Sequence, residues 1–135
     1  MKYLLKAVYE KTNSEGKITI SKEQYLCESE TFGNAEEKGY LYIQPFLAGQ
    51  QKITHISEYK VNELVGDEGD KYFRVKINYL EDDEKGKEKK IPAIIIVLAW
   101  DITEAKSAFD EYMKTCSCDF KMVRIEETEI LDIIL

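Results

Sequence analysis

The sequence predicts an α+β fold of tandem β-β-α-β units, with antiparallel sheet or sheets, two helices and a pseudo-twofold arrangement. Three observations predict it. Two hairpin patterns, Tyr3–Glu10 with Ile18–Ser29 and Lys71–Leu80 with Ile91–Trp100, are each followed by a stretch at helical spacing and then by a further strand. The closing stretch Lys121–Ile134, KMVRIEETEILDII, echoes Lys52–Val65, KITHISEYKVNELV, at an offset of 69 residues. Lys, Ile and Glu coincide at its first, fifth and seventh places, and Val61/Ile130, Glu63/Asp132, Leu64/Ile133 and Val65/Ile134 match in character. Tyr9/Tyr79, Ala35/Ala105 and Tyr42/Tyr112 lie 70 apart, so nearly one spacing runs through strand and helix alike. The reading is one compact domain holding two repeated units, residues 1–65 and 71–135, joined by the acidic, Gly-containing linker Gly66–Asp70.

Each element has its own warrant. Tyr3–Glu10 alternates Tyr3, Leu5, Ala7 and Tyr9 against Leu4, Lys6, Val8 and Glu10, and the mixed second set predicts cover on both faces. The Asn-Ser-Glu-Gly turn after Thr12 leads into Ile18–Ser29, whose central Lys-Glu-Gln weakens the strand pattern. Thr31–Leu47 is expected to be helical, capped by Thr31, with Phe32, Ala35, Gly39, Tyr42, Ile43 and Phe46 on one face. Gly39 in mid-helix implies a close approach to a sheet, and Pro45 ends or kinks the helix. Lys52–Ser57 is a strand, and Val61–Val65 a helical turn or a continued strand.

In the second half, Lys71–Leu80 alternates most cleanly, with Phe73, Val75, Ile77 and Tyr79 inward. A charged loop around Gly86 joins it to Ile91–Trp100, a β-branched run expected to be buried on both faces, with Pro92 near its start. Asp101 stands three before Glu104, a capping-box-like start for a helix over Asp101–Thr115. Lys121–Glu126 is the last strand, and its apolar tail Ile130–Leu135 calls for packing or a subunit contact.

The totals bound the function classes. A chain of 135 residues, 44% hydrophobic and 33% charged, suits one soluble domain with a real core. The apolar run Ile94–Trp100 is far too short to span a membrane, and the N-terminus reads as a strand rather than a signal peptide, so a cytoplasmic location is expected. A net charge of −7 argues against a broad basic surface for duplex DNA and leaves room for a local basic face.

Catalytic and metal patterns are wanting. His55, the single His, has no identifiable nucleophile or orienting group. Cys116 and Cys118 form C-x-C without a second ligand pair for zinc and without redox C-x-x-C spacing, so they and Cys27 are expected to be spectators or core residues. The acidic clusters Asp67–Asp70 and Glu81–Glu84 lack the pattern of a calcium loop, and no Gly-rich segment matches a phosphate loop. Glu126, Glu127, Glu129 and Asp132 read as a solvated face. No catalytic residue, metal or cofactor is assigned, and an enzyme is not expected.

What remains is the outward row Tyr72, Arg74, Lys76 and Asn78, with Lys6 beside Lys76 in the 70-residue comparison. Cations interleaved with an aromatic ring on a sheet suit a single strand of DNA or RNA, whose phosphates meet the cations while a base stacks on the ring. The lysines of Lys85–Lys90 extend that surface. Lys6, Tyr72, Arg74 and Lys76 are therefore the candidate nucleic-acid-binding residues of a non-enzymatic accessory protein. The alternative is a protein-interaction or assembly role, including host interference. A homodimer and no membrane partner are expected.

The phrase KYFRVKINYLEDDEKGKEKK, followed by a hydrophobic strand and WDITEAKSAF, resembles a family of small uncharacterised proteins of gut Bacteroidetes and their mobile elements or phages. Tyr72–Lys76 matches its Tyr-Phe-x-Val-Lys strand and Thr103–Ala105 its Thr-Glu-Ala helix start. The resemblance lies mainly in the second half. The first half departs from it at Tyr3–Ala7, Gly39 and Pro45. It implies a setting of replication accessories, single-strand binders or host-interaction proteins, and it implies no catalytic residues.

Overall fold

The computed structural model describes Met1–Leu135 throughout. The chain runs β1 (Lys2–Thr12), β2 (Ile18–Glu28), α1 (Phe32–Ile43), a 3₁₀ turn (Gln44–Phe46), β3 (Gln51–Glu58), β4 (Glu63–Val65), β5 (Lys71–Asp82), β6 (Glu88–Ala99), α2 (Ile102–Met113), β7 (Asp119–Glu127) and β8 (Ile130–Ile134). This is the expected α+β class, with strand, strand, helix, strand in each half.

The two halves use the same local chemistry at the same places. In the first hairpin the Asn13 carboxamide oxygen accepts from the N–H groups of Glu15 and Lys17 at 2.9 and 3.0 Å, and Gly16 takes φ 79°. In the second, an Asp83 carboxylate oxygen accepts from Lys85 and Lys87, both at 2.8 Å, and Gly86 takes φ 78°. An Asx side chain folds the turn and glycine supplies the left-handed residue that closes it. The helices start alike too. Thr31 Oγ1 accepts from the Asn34 N–H at 3.1 Å, and Asp101 Oδ1 accepts from the Glu104 N–H at 2.8 Å. Glu104 in turn accepts from the Trp100 N–H at 3.3 Å, completing a box-like reciprocal cap. Even the bulges correspond, falling between Lys6 and Ala7 against β3 and between Lys76 and Ile77 against β7.

α1 stops at Ile43, where Pro45 directs the chain into the 3₁₀ turn, so the helix is shorter than the Thr31–Leu47 span. The tail after β3 is the short strand β4, which settles the choice between helical turn and strand.

The sheets have orders β3-β1-β2-β8 and β4-β6-β5-β7. Three strands of each are antiparallel, and the fourth is parallel: β8 lies along β2, and β4 along β6. Both sheets are thus mixed rather than purely antiparallel. The tails have changed places. β4, which follows the first β-β-α-β run, completes the second sheet, and β8, which follows the second run, completes the first. Two compact units result, one of Met1–Tyr59 with Glu129–Leu135 and one of Lys60–Thr128. The Gly66–Asp70 loop lies inside the second unit, between β4 and β5.

In the first unit, α1 covers Tyr3, Leu5, Ala7, Tyr25 and Cys27 with Ala35 and Ile43. A Cβ added at Gly39 would lie 2.7 Å from Ile53 Cδ1 and 2.9 Å from Leu5 Cδ1, so the absent side chain is what lets α1 settle on β1 and β3. Seventy residues on, Phe109 takes that place, buried in one core with Val75 and Ala93 and packed edge-on against Phe120 at 5.7 Å. The same backbone plan is filled by complementary volumes. Ile95, Ile96 and Val97 are consecutively buried, as are Tyr25, Leu26 and Cys27, so β6 and β2 are covered on both faces toward their C-terminal ends.

Gly39→Ala should lower stability by about 1 kcal/mol, because overpacking of about 1–3 kcal/mol outweighs the roughly 1 kcal/mol of helix propensity gained. Adding Ile53→Ala should make the Gly39→Ala step less costly in denaturant titrations, with the Leu5 contact remaining. A Gly39→Ala chain more stable than the parent would show that the helix does not sit this close.

Candidate nucleic-acid interface

Lys6 lies on the face of β1 opposite α1, and the strand register decides its company. Its neighbours across the sheet are Gln24 on β2 and His55 on β3. The next residue on that face, Val8, is flanked by Lys22 and Lys52. Lys6, Lys22, Lys52 and His55 therefore stand together around Val8, all exposed. None of the three lysines takes part in an ion pair of the chain. The bulge makes this possible by adding Thr54, whose hydroxyl donates to the Lys6 carbonyl at 3.2 Å, so that Lys52 and His55 share one face. His55 Nε2 is 2.9 Å from Ser57 Oγ.

This surface is concave. One depression of about 540 Å³ is lined by Lys6, Val8, Lys22, Gln24, Thr54 and Glu129. A second of about 440 Å³ shares Val8 and Thr54 and adds Glu10, Ile20 and Lys52, so an acid stands in each depression. Glu129, the acid at the rim, is engaged by the Gln24 amide, which donates to it at 2.7 Å. Ile20 is 69% exposed beside the lysines. Lys22, Lys52 and His55 were not singled out with Lys6 from sequence, because their proximity comes from cross-strand register and a bulge.

Tyr72, Arg74 and Lys76 lie together on β5, in the second unit and not on the sheet of Lys6. All three are half-buried. Arg74 Nη1 meets Glu126 Oε1 at 3.2 Å, and Arg124, opposite Lys76, approaches the other oxygen of that carboxylate at 3.8 Å. The Tyr72 carbonyl accepts from the Thr128 N–H at 2.9 Å and from its hydroxyl at 2.7 Å. Across from Arg74 on β6, Ile96 is 1% exposed. The aromatic and cationic row exists, but Arg74 is partly neutralised and the surrounding face partly covered. The hairpin-tip residues Lys85, Lys87, Lys89 and Lys90 are exposed.

The helix-side face of the first sheet holds a polar cluster. Glu23, its side chain 12% exposed, accepts from the Tyr9 hydroxyl at 2.8 Å, the Ser21 hydroxyl at 2.9 Å, Lys11 Nζ at 3.2 Å and the Tyr25 hydroxyl. Burial pushes the Glu23 carboxyl up, yet the hydrogen bonds from Tyr25, Tyr9, Ser21 and Lys11 together bring it below the usual value. Burial, then the hydrogen bond and charge of Glu23, push Tyr9 up to about 12 and Tyr25 further. Nearby, the Tyr42 hydroxyl donates to Asp132 of β8 at 2.7 Å, and burial followed by that bond raises Tyr42. The second unit keeps the tyrosine–acid theme, with Tyr112 raised by burial and then by the charge of Glu63 on β4. It replaces Ser21, Glu23 and Tyr25 with Ile91, Ala93 and Ile95.

No three His, Cys, Asp or Glu side chains gather at metal-binding spacing. No helix is long and apolar enough to cross a membrane. Of the three cysteines expected to be spectators or core residues, Cys116 and Cys118 are joined by a disulfide, and Cys27 is free and buried.

The sequence matches the family described as Domain of unknown function (DUF4494) over residues 2–135. The chain belongs to this family. The match corrects the resemblance drawn from the second half: DUF4494 covers both repeats, including the first-half features at Tyr3–Ala7, Gly39 and Pro45 that had seemed to depart from a family pattern. The resemblance fell short because the cleaner alternation and capping signals of the second half are easier to recognise. No curated protein and no solved structure matches the chain.

The Glu23 cluster has a pH signature. With its folded-state pKa lowered, Glu23 contributes its full stability above the ordinary glutamate value of about 4.3 and loses it as pH falls through the folded-state value. Glu23→Gln should cost about 1–3 kcal/mol at neutral pH and flatten the acid limb of the stability profile. Equal acid limbs for both chains, measured by urea midpoints between pH 3 and pH 7, on the order of the range in which carboxyls titrate, would contradict this role.

Proposed function

We propose that this DUF4494 protein is a non-enzymatic, cytoplasmic single-stranded nucleic-acid-binding protein. The observation that carries the reading is the gathering of Lys6, Lys22, Lys52 and His55, the lysines outside any ion pair, on a concave sheet face. Lysines at this spacing meet successive phosphates, and exposed Ile20 with Val8 offers apolar surface to bases. Tyr72, Arg74 and Lys76 supply a separate contact in the second unit, weaker because Arg74 is already engaged by Glu126. The net charge of −7 opposes a polyanion overall, so binding depends on local cationic faces and on low ionic strength.

Three lysine–phosphate contacts predict a log–log salt slope of about −2 for a labelled single-stranded oligonucleotide. Lys6→Glu with Lys22→Glu should weaken binding about tenfold or more at fixed salt. Arg74→Glu with Lys76→Glu should have the smaller effect. Fluorescence anisotropy measures all three, and no binding at micromolar protein in low salt would end the proposal.

A protein-interaction role is the second reading. It is favoured by exposed Leu41 and Phe46 on and after α1, at 60% and 54%. Light scattering that reports a dimer, or co-purification of a partner, without oligonucleotide binding would favour it over the first.

A further inference from the structure

The Cys116–Cys118 pair stands outside the functional reading given above. It closes the loop between α2 and β7. The Cys116 N–H donates to the Met113 carbonyl at 3.1 Å, and its half-buried side chain packs against the second unit's core. Cys118 is exposed, and its neighbours Ser117 and Asp119 are exposed as well. The bond spans a single intervening residue, so the chain-entropy contribution that helps a native disulfide resist reduction is at its smallest. Exposure and weak entropic support mark a labile disulfide rather than a structural one. Cys27 is buried and its thiol pushed up by burial, so it is a poor nucleophile.

We propose that Cys116–Cys118 is a thiol–disulfide exchange site whose co-reactant is a small soluble thiol of the glutathione class. A thiolate of the co-reactant attacks the exposed Cys118 sulfur. A mixed disulfide forms there, the Cys116–Cys118 bond breaks, and Cys116 leaves as thiolate and takes a proton from water. A second co-reactant thiolate attacks the co-reactant sulfur of the mixed disulfide and expels Cys118. Two thiols of the co-reactant are oxidised to its disulfide while the protein disulfide is reduced to two thiols. The reverse sequence restores the bond.

The test uses the full chain in glutathione buffers from oxidising to reducing, followed by alkylation and peptide mass spectrometry. The proposal expects Cys116 and Cys118 to become alkylated together within the series while Cys27 stays unlabelled in the folded protein. Glutathione disulfide should modify Cys118 in a Cys116→Ser chain about tenfold faster than Cys116 in a Cys118→Ser chain, following their difference in access. The proposal is overturned if both thiols remain alkylatable at the oxidising end, if the bond survives the reducing end, or if the two single-cysteine chains react at equal rates.

Discussion

Everything in this fold depends on two strands finding edges away from the run of chain that precedes them. β2 and β6 are buried on both faces toward their C-terminal ends, at Tyr25–Cys27 and Ile95–Val97. A strand so covered cannot serve as a solvated sheet edge, because its unpaired backbone groups would be buried without partners. β8 satisfies β2, and β4 satisfies β6. The side chains agree with the exchange: Asp132 accepts from Tyr42 in one unit, and the charge of Glu63 acts on Tyr112 in the other. The sequence pairs Glu63/Asp132 and Tyr42/Tyr112 thus bring an acid of a tail toward a helix tyrosine of the other half twice, as a hydrogen bond at Tyr42 and as a charge effect at Tyr112.

Local features were legible because local chemistry causes them. Asn13 and Asp83, three residues before Gly16 and Gly86, mark their turns, and Thr31 and Asp101 mark their helix starts. Gly39 announced a close approach and Pro45 an ending. The exchange of tails was not legible. β2 and β6 present equivalent edges, so a tail pattern that fits one fits the other, and only packing across the chain decides between them. The cationic face failed to show for a similar reason, since Lys6, Lys22, Lys52 and His55 meet through register and a bulge. The Lys-Glu-Gln that weakened the second strand pattern is where one unit departs most from the other: Glu23 brings a buried carboxylate to a position that Ala93 fills in the second.

Asymmetry between the repeats shows most in how each unit treats its charges. The second unit compensates Arg74 with Glu126 and keeps an apolar helix-side core. The first leaves three lysines free around Val8 and ties its opposite face with Glu23. A polar core network holds strand register, and register is what brings Lys6, Lys22 and Lys52 to one face.

The exchanged tails are the central claim, and nuclear Overhauser contacts between backbone protons test it most directly. The account predicts cross-strand contacts from Leu26 to Ile133 and from Ile96 to Leu64. Contacts from Leu26 to Leu64 and from Ile96 to Ile133, each tail on the sheet of its own half, would contradict it.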